Sequence, residues 1–172
     1  ETVGDFEVHQ YRHLGSGAFG DVYEAVSMQS NQLVAAKYLK KYENNPTDAK
    51  LRTEIDNLDK LPMHDNIVKI LHHQQKGTSY WIFMELCDQG DLEKYCMQNS
   101  SSLTIKDKLE FMKQATTGLL FLHENNIIHR DIKPKNLLLQ SAGAALLPRL
   151  KITDFGLSKF LSEGQSSTMH SN

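Results

Sequence analysis

The sequence predicts an α+β fold, with a strand-rich front half and a mainly helical second half. Three observations carry this. Short runs with the period-two alternation or continuous apolar character of strands recur as far as Leu86. From Thr104 to Glu124 the spacing of large side chains is helical instead. Turn signals separate the runs at Gly15–Gly20, Ser30-Asn31 and Lys76-Gly77-Thr78. At 172 residues, 40% of them hydrophobic, the chain can bury the core of one domain or of two small ones.

Val8 to Leu14 reads as the first strand and runs into Gly15-Ser16-Gly17-Ala18-Phe19-Gly20. A GxGxxG run also opens the helix of dinucleotide-binding folds. Here the continuation Val22-Tyr23-Glu24-Ala25-Val26 alternates at period two, so the glycines join two strands. Glycines there let the backbone approach phosphates, where a Cβ would intrude. Gln32 to Lys40 is a third strand, containing Val34-Ala35-Ala36-Lys37. Asn44 to Thr47 starts a helix that carries Leu51, Ile55 and Leu58 on one stripe and ends at Pro62. Ile67 to Gln74 and Ser79 to Leu86 are two further strands.

Asp91 directly precedes Leu92-Glu93-Lys94-Tyr95 and suits a helix cap. Thr104 and Asp107 resemble a capping box. Leu109, Met112, Thr116, Leu119 and Leu120 form a helical stripe that core packing explains without any ligand. Asn125-Asn126 breaks the helix, and Ile127-Ile128 reads as a short buried strand. Leu137 to Leu139 is another strand. An insertion from Gln140 to Arg149 follows, and Leu150 to Ile152 leads into Asp154-Phe155-Gly156. From Leu157 the chain turns polar and serine-rich, the composition of a mobile loop.

Composition narrows the function. A formal net charge of −2 offers no electrostatic case for nucleic acid or a membrane surface. No apolar run approaches the roughly twenty residues of a membrane span. Glu1 to Glu7 lacks the layout of a signal peptide. Cys87 and Cys96 fit no CxxC motif and no disulfide framework, which suits a reducing, cytoplasmic setting.

The chemistry concentrates in His129-Arg130-Asp131-Ile132-Lys133-Pro134-Lys135-Asn136, with Asp154-Phe155-Gly156 downstream. A lone His-Arg-Asp is usually a solvated turn, and a lone Asp-Phe-Gly the end of a strand. Together they supply what phosphoryl transfer from a metal nucleotide needs. One carboxylate orients the attacking hydroxyl, oxygen ligands hold magnesium, and a cation neutralises the moving group.

The long motif resembles the catalytic loop and magnesium-binding turn of protein kinases. The glycine run, Lys37, the helix acid and the strand ending at Glu85 occur in the same order as in that family. The resemblance runs from Phe6 to the last residue and implies a complete N-lobe and the front of a C-lobe, divided as residues 1–87 and 88–172. It implies ATP and Mg2+ as cofactors and a Ser or Thr of a protein as acceptor. Asp131 would be the base, Lys133 would stabilise the transferring group, and Asn136 and Asp154 would hold the metal. Lys37 would position the phosphates, paired with Glu54 in preference to a local Glu54–Lys50 pair on the helix surface. The nucleotide would meet Leu14, Gly15, Ser16, Gly17, Ala18, Phe19, Gly20, Val22 and Ala35. Met84 would stand behind adenine, Glu85 and Cys87 would read its edge, and Leu138 would lie beneath it. Asp91 would contact the ribose if it is not simply a cap.

Lys133 resembles the serine/threonine branch of the family. Arg130 resembles kinases switched on by a phosphate in the activation loop, here at Thr168 or Ser171, placed by an upstream kinase or by the enzyme itself. The opening Val3–Glu7 and the insertion resemble autophagy-initiating kinases, and IκB-kinase-related enzymes lengthen the same turn. The sequence stops inside the activation segment, so little activity is expected of these residues alone, and part of the Leu109–Met112–Thr116–Leu119 stripe is expected to face water. A non-catalytic, pseudokinase-like module is the competing reading, although no catalytic residue is missing. A dinucleotide-dependent oxidoreductase is opposed by the strand after Gly20.

Overall fold

Alternating side chains put one apolar row on each strand of the front half, and those rows build the first core. The computed structural model describes residues 1–17, 20–40, 55–56, 58–77, 79–143 and 146–155. The helix expected from Thr47 therefore falls largely outside the described residues, though Ile55 and Leu58 are helical and buried. The chain forms two compact units. Residues 1–60 and 69–86 make the first, and residues 61–68 and 87–172 the second. The sequence division at residue 87 places Leu61–Val68 with the first unit, whereas its contacts are with the second.

The first unit is an antiparallel sheet of β1 (Thr2–Val3), β2 (Phe6–Gly17), β3 (Gly20–Ser27), β4 (Leu33–Lys40), β5 (Ile70–Lys76) and β6 (Ser79–Glu85). Their spatial order is β1-β2-β3-β4-β6-β5. β1 is too short to show a period and is not evident from sequence. The strand expected from Ile67 begins only at Ile70, because Ile67 bridges to Ile152 in the second unit. One sheet face buries Val3, Phe6, Val8, Ala25, Val34, Ala36, Trp81 and Phe83. Phe6 stacks on Phe83 at 3.9 Å between ring centroids, and Tyr38 leans on Trp81 at 4.8 Å. Each such side chain contributes about 1.5–3 kcal/mol on burial.

The second unit holds helices α1 (Leu92–Gln98) and α2 (Ile105–Glu124) and the hairpin of β7 (Leu137–Gln140) with β8 (Arg149–Ile152). α1 starts at Asp91, whose carboxylate accepts from the Lys94 amide at 2.9 Å. α2 starts with the expected capping box. The Thr104 amide donates to Asp107 Oδ2 at 2.8 Å, and the Asp107 amide donates to Thr104 Oγ1 at 3.2 Å. Asn125 ends the helix, and Asn126 takes a positive φ of 60°.

Two expectations fail here. Ile127-Ile128 forms no strand, and Ile128 is 63% exposed. Most of the stripe assigned to the core lies outside, with Leu109 at 58% and Met112 at 65% exposure, while Leu119 is half-buried. The buried residues of α2 are Phe111, Gly118 and Leu122 instead. The exposure foreseen for the same stripe is therefore what the structure has. No helix among the described residues is long and apolar enough to cross a membrane.

Candidate active site

Strand register gathers one group of candidate residues in the first unit. Val22 pairs with Lys37 across β3 and β4, and Ala35 pairs with Met84 across β4 and β6. Residues directly opposite or two apart share a face. Val22, Ala35, Lys37 and Met84 therefore share the sheet face opposite the aromatic core. Lys37 is 2% exposed, so it is not the ordinary surface lysine its sequence position would allow. Glu54 lies outside the described residues.

The glycine run is the turn end of the β2–β3 pair, with Gly15 opposite Val22, Ser16 opposite Asp21 and Gly17 opposite Gly20. Ala18 and Phe19 lie outside the described residues. The glycines are not equivalent. Gly20 has φ +142°, and a Cβ there would sit 1.8 Å from the Tyr38 carbonyl oxygen. Its need for glycine is thus internal, from the approach of β4. A Cβ at Gly15 would meet nothing within 4 Å, so no protein neighbour requires that glycine. Ser16 Oγ donates to Asp21 Oδ1 at 2.7 Å and lies 3.2 Å from His13 Nε2, while Leu14 is exposed.

At the end of β6 the Glu85 amide donates to the Lys69 carbonyl, and the Glu85 carboxylate accepts from the Lys69 amide at 2.8 Å. Cys87, half-buried, opens the second unit. Gln89 and Gly90 bond to both backbone groups of Leu139, and Asp91 bridges to Leu138. The Asp88 carboxylate accepts from the Ser141 amide and hydroxyl. Burial pushes the Asp88 carboxyl up, but the Ser141 hydrogen bonds outweigh it and leave the group below its ordinary value.

The second group is the loop around Asp131. His129 is buried and fixed at both nitrogens. Nε2 lies 2.8 Å from the Thr153 carbonyl, which can only accept, so Nε2 carries the proton. Nδ1 then accepts from the Asp131 amide at 3.2 Å. Arg130 takes φ 65° and stays exposed, which turns the chain so that Asp131 faces its partners. Lys133 Nζ lies 2.8 Å from Asp131 Oδ2. Asn136 Nδ2 donates to Asp131 Oδ2 at 3.0 Å and to the Asp131 carbonyl at 2.8 Å. The Lys133 hydrogen bond holds the Asp131 carboxyl below its ordinary value, against the opposing effect of burial, and the Asn136 bond and Lys133 charge add to it.

Both partners of Asn136 Nδ2 are acceptors, so its side-chain orientation is determined and Oδ1 occupies the other branch. Asn136 itself is buried at the end of the short Pro134–Asn136 turn, and its carbonyl accepts from Thr153. The bond between Asn136 and Thr153 extends the β7–β8 ladder by one step and brings the residue before Asp154 to the loop. Asp154 has φ 61° and is half-buried, and Phe155 behind it is buried. The donor set suits a hard cation, with an amide oxygen from Asn136 and a carboxylate from Asp154.

Three residues of this region escape the motif reading. Asn66, Gln114 and Gly118 support β8 from behind, through bonds and contacts described below. For Gln114 and Gly118 a weak signal exists, because Phe111, Gln114, Gly118 and Leu122 recur at helical spacing, but Asn66 has none.

Comparison with known proteins agrees with the geometry. The family described as the protein kinase domain matches residues 8–172. The chain is 37% identical over 168 residues to the serine/threonine-protein kinase atg1 of Dictyostelium discoideum, covering 94% of this chain and 24% of that protein. It is equally 37% identical over 168 residues to the human serine/threonine-protein kinase ULK1, covering 94% of this chain and 16% of that protein. The CBL-interacting serine/threonine-protein kinase 7 of Arabidopsis thaliana is 33% identical over 170 residues, or 98% of this chain and 38% of that protein. The chain thus spans well under half the length of each of these relatives.

Proposed function

This chain belongs to the protein kinase family, and from that premise we propose that it carries the catalytic front of an ATP-dependent protein serine/threonine kinase. The observation that carries the reading is the convergence of Lys133 and Asn136 on one oxygen of Asp131. A carboxylate held this way stays ionised at neutral pH and points one way. It orients the acceptor hydroxyl and takes its proton late, because a loose phosphoryl-transfer transition state needs little abstraction beforehand. Lys133 is the cation beside the transferring group. Asn136 and Asp154 are the residues that would hold Mg2+, which when bound supplies charge neutralisation at the phosphates.

In the first unit, Val22, Ala35 and Met84 present the apolar surface expected around adenine, and Lys37 is the phosphate-positioning cation. Gly15, Ser16 and Gly17 are the backbone proposed to approach the phosphates, with Leu14, Gly20 and, outside the described residues, Ala18 and Phe19 as further candidates for nucleotide contact. Glu54, which lies outside the described residues, is the acid proposed as the partner of Lys37. Glu85 of the first unit, and Cys87 and Leu138 of the second, are the further residues that the family resemblance assigns to adenine. Asp91 has the geometry of a helix cap, and a ribose contact by the same carboxylate is compatible with that bond. The relatives atg1 and ULK1 are serine/threonine-protein kinases by name, which supports that acceptor class here. A cytoplasmic setting fits the same reading.

Lys37→Met tests the nucleotide half. Phosphotransfer to a generic serine peptide should fall by about two orders of magnitude or more, since misplacement of reacting groups by about 1 Å costs on the order of a hundredfold. Wild-type turnover in that variant would remove Lys37 from the mechanism. Nucleotide binding without any Asp131-dependent turnover would instead favour a non-catalytic module.

Regulation follows from Arg130, which is exposed beside Asp131. A phosphate on Thr168 or Ser171 gives that guanidinium a charge-assisted partner and should raise turnover several-fold. Both residues lie outside the described residues. Alanine at both positions together with phosphosite mapping by mass spectrometry checks this. Full activity of the double variant, with no phosphate found on the wild type, would exclude it.

A further inference from the structure

We propose that Asn66 and Gln114 are positioning residues that hold β8, and through it Asp154, in the register the metal site needs. The proposal rests on the reading of Asp154 as a magnesium ligand. Among the described residues β8 has one strand neighbour, β7, and only the isolated Ile67–Ile152 bridge on its other edge. Its other edge is buried, since Leu150 and Ile152 are both fully covered. Buried backbone groups on such an edge must find partners.

Here the partners are two side-chain amides and a short stretch of main chain. The Leu150 amide donates to Gln114 Oε1 at 2.7 Å, and the Leu150 carbonyl accepts from Asn66 Nδ2 at 2.9 Å. One residue pair on, the Ile152 amide donates to the Asn66 carbonyl at 2.8 Å, and the Ile152 carbonyl accepts from the Val68 amide at 3.0 Å. Gln114 Oε1 also lies 3.4 Å from Asn66 Nδ2, so the two amides brace each other. From the opposite side, Asn136 and His129 take the amide and carbonyl of Thr153.

The strand is thus gripped on both edges up to the residue before Asp154. That matters because Asp154 has a φ of 61°, a conformation a non-glycine residue keeps only where its surroundings over-determine it. Loosening one edge gives the aspartate room to relax out of it.

The experiment uses the whole protein and a fluorescent ATP analogue, titrated with Mg2+ and in chelator. Gln114→Leu keeps the bulk but leaves the Leu150 amide without its acceptor. It should lower the Mg2+-dependent gain in nucleotide affinity by about 10–100-fold, the range for outer partners of metal ligands. Metal-free affinity should not change, and the Leu150 and Ile152 amides should exchange faster with solvent. Gln114→Glu combined with Glu110→Gln keeps an acceptor toward Leu150 and reverses the donor–acceptor pair along the helix, where Gln114 Nε2 now donates to Glu110. That double variant should restore both readouts. If Gln114→Leu does not fold, Gln114→Ala admits water to the amide and serves the same comparison. A wild-type Mg2+ gain in the variant despite faster exchange would overturn the positioning role. A Mg2+ gain untouched by Asp154→Asn would overturn the reading of Asp154 itself, and this proposal with it.

Discussion

Asp131→Asn should reduce phosphotransfer by about 10²–10⁴-fold, the usual contribution of a positioned general base, and leave nucleotide affinity within about twofold. The asparagine is isosteric, and its carbonyl oxygen can still accept from Lys133 and Asn136, which now meet at Asp131 Oδ2. The loop therefore keeps its shape while losing the charge that orients the hydroxyl. Single-turnover kinetics alongside nucleotide titration separate the two effects. An equal loss of affinity and rate would show that Asp131 holds nucleotide rather than acceptor. The pH dependence has a definite sign. The folded-state carboxyl lies below its ordinary value of about 3.9, so its stabilising bonds are fully present above that value. They are lost as the pH falls through the lower folded value. The acid limb of a rate profile near neutrality must then come from another group.

Gly118→Val should destabilise the second unit by about 3 kcal/mol, at the upper end of ordinary overpacking. Even a Cβ at this position would sit 2.8 Å from the Asn66 carbonyl oxygen and 2.9 Å from Ile152 Cδ1. The first is a backbone atom committed to the Ile152 amide, so it cannot yield without breaking that bond. Helix propensity works the other way, since glycine inside a helix costs about 1 kcal/mol relative to alanine. Packing wins because the site is buried in the middle of α2, where the chain cannot fray. Against a margin of about 5–15 kcal/mol the loss is large. Urea denaturation monitored by circular dichroism measures it, and an unchanged midpoint would mean that α2 shifts to admit the side chain.

Most strands of the first unit were legible, β2 to β4 because one buried face writes a period of two into the sequence and β6 because its apolar run is continuous, whereas β1 is too short to show any pattern. Lys37 and the loop from His129 to Asn136 were legible because their chemistry fixes residue type and spacing. The core assignment of the α2 stripe failed for a physical reason, although its partial exposure was foreseen. The helix carries large apolar residues on more than one side, and the buried side is selected by close approach at Gly118, a residue with no side chain to register in an apolar pattern. Ile67 misled in the same way. Its β-branched run looks continuous with β5, but its partner is Ile152, 85 positions away in the numbering of the register. Asn66 and Gln114 carry no motif at all, since their importance comes from bonds to backbone atoms, and any sequence at Leu150 supplies those.

The assignment of Leu61–Val68 to the second unit has a consequence for how the chain acquires its structure. The second unit is not a continuous stretch, because an early segment must wait for partners made much later. Asn66 meets Leu150 across 84 residues, and the loop this closes contains β5, β6 and both helices. Long-range closures of this kind slow folding. Contact order therefore predicts that the grip on β8 forms later than the hairpin of β7 and β8 and the local turns of α2. A polypeptide cut between Leu86 and Cys87 would separate Asn66 from its strand, and its C-terminal half would carry the whole catalytic loop without the edge that steadies it.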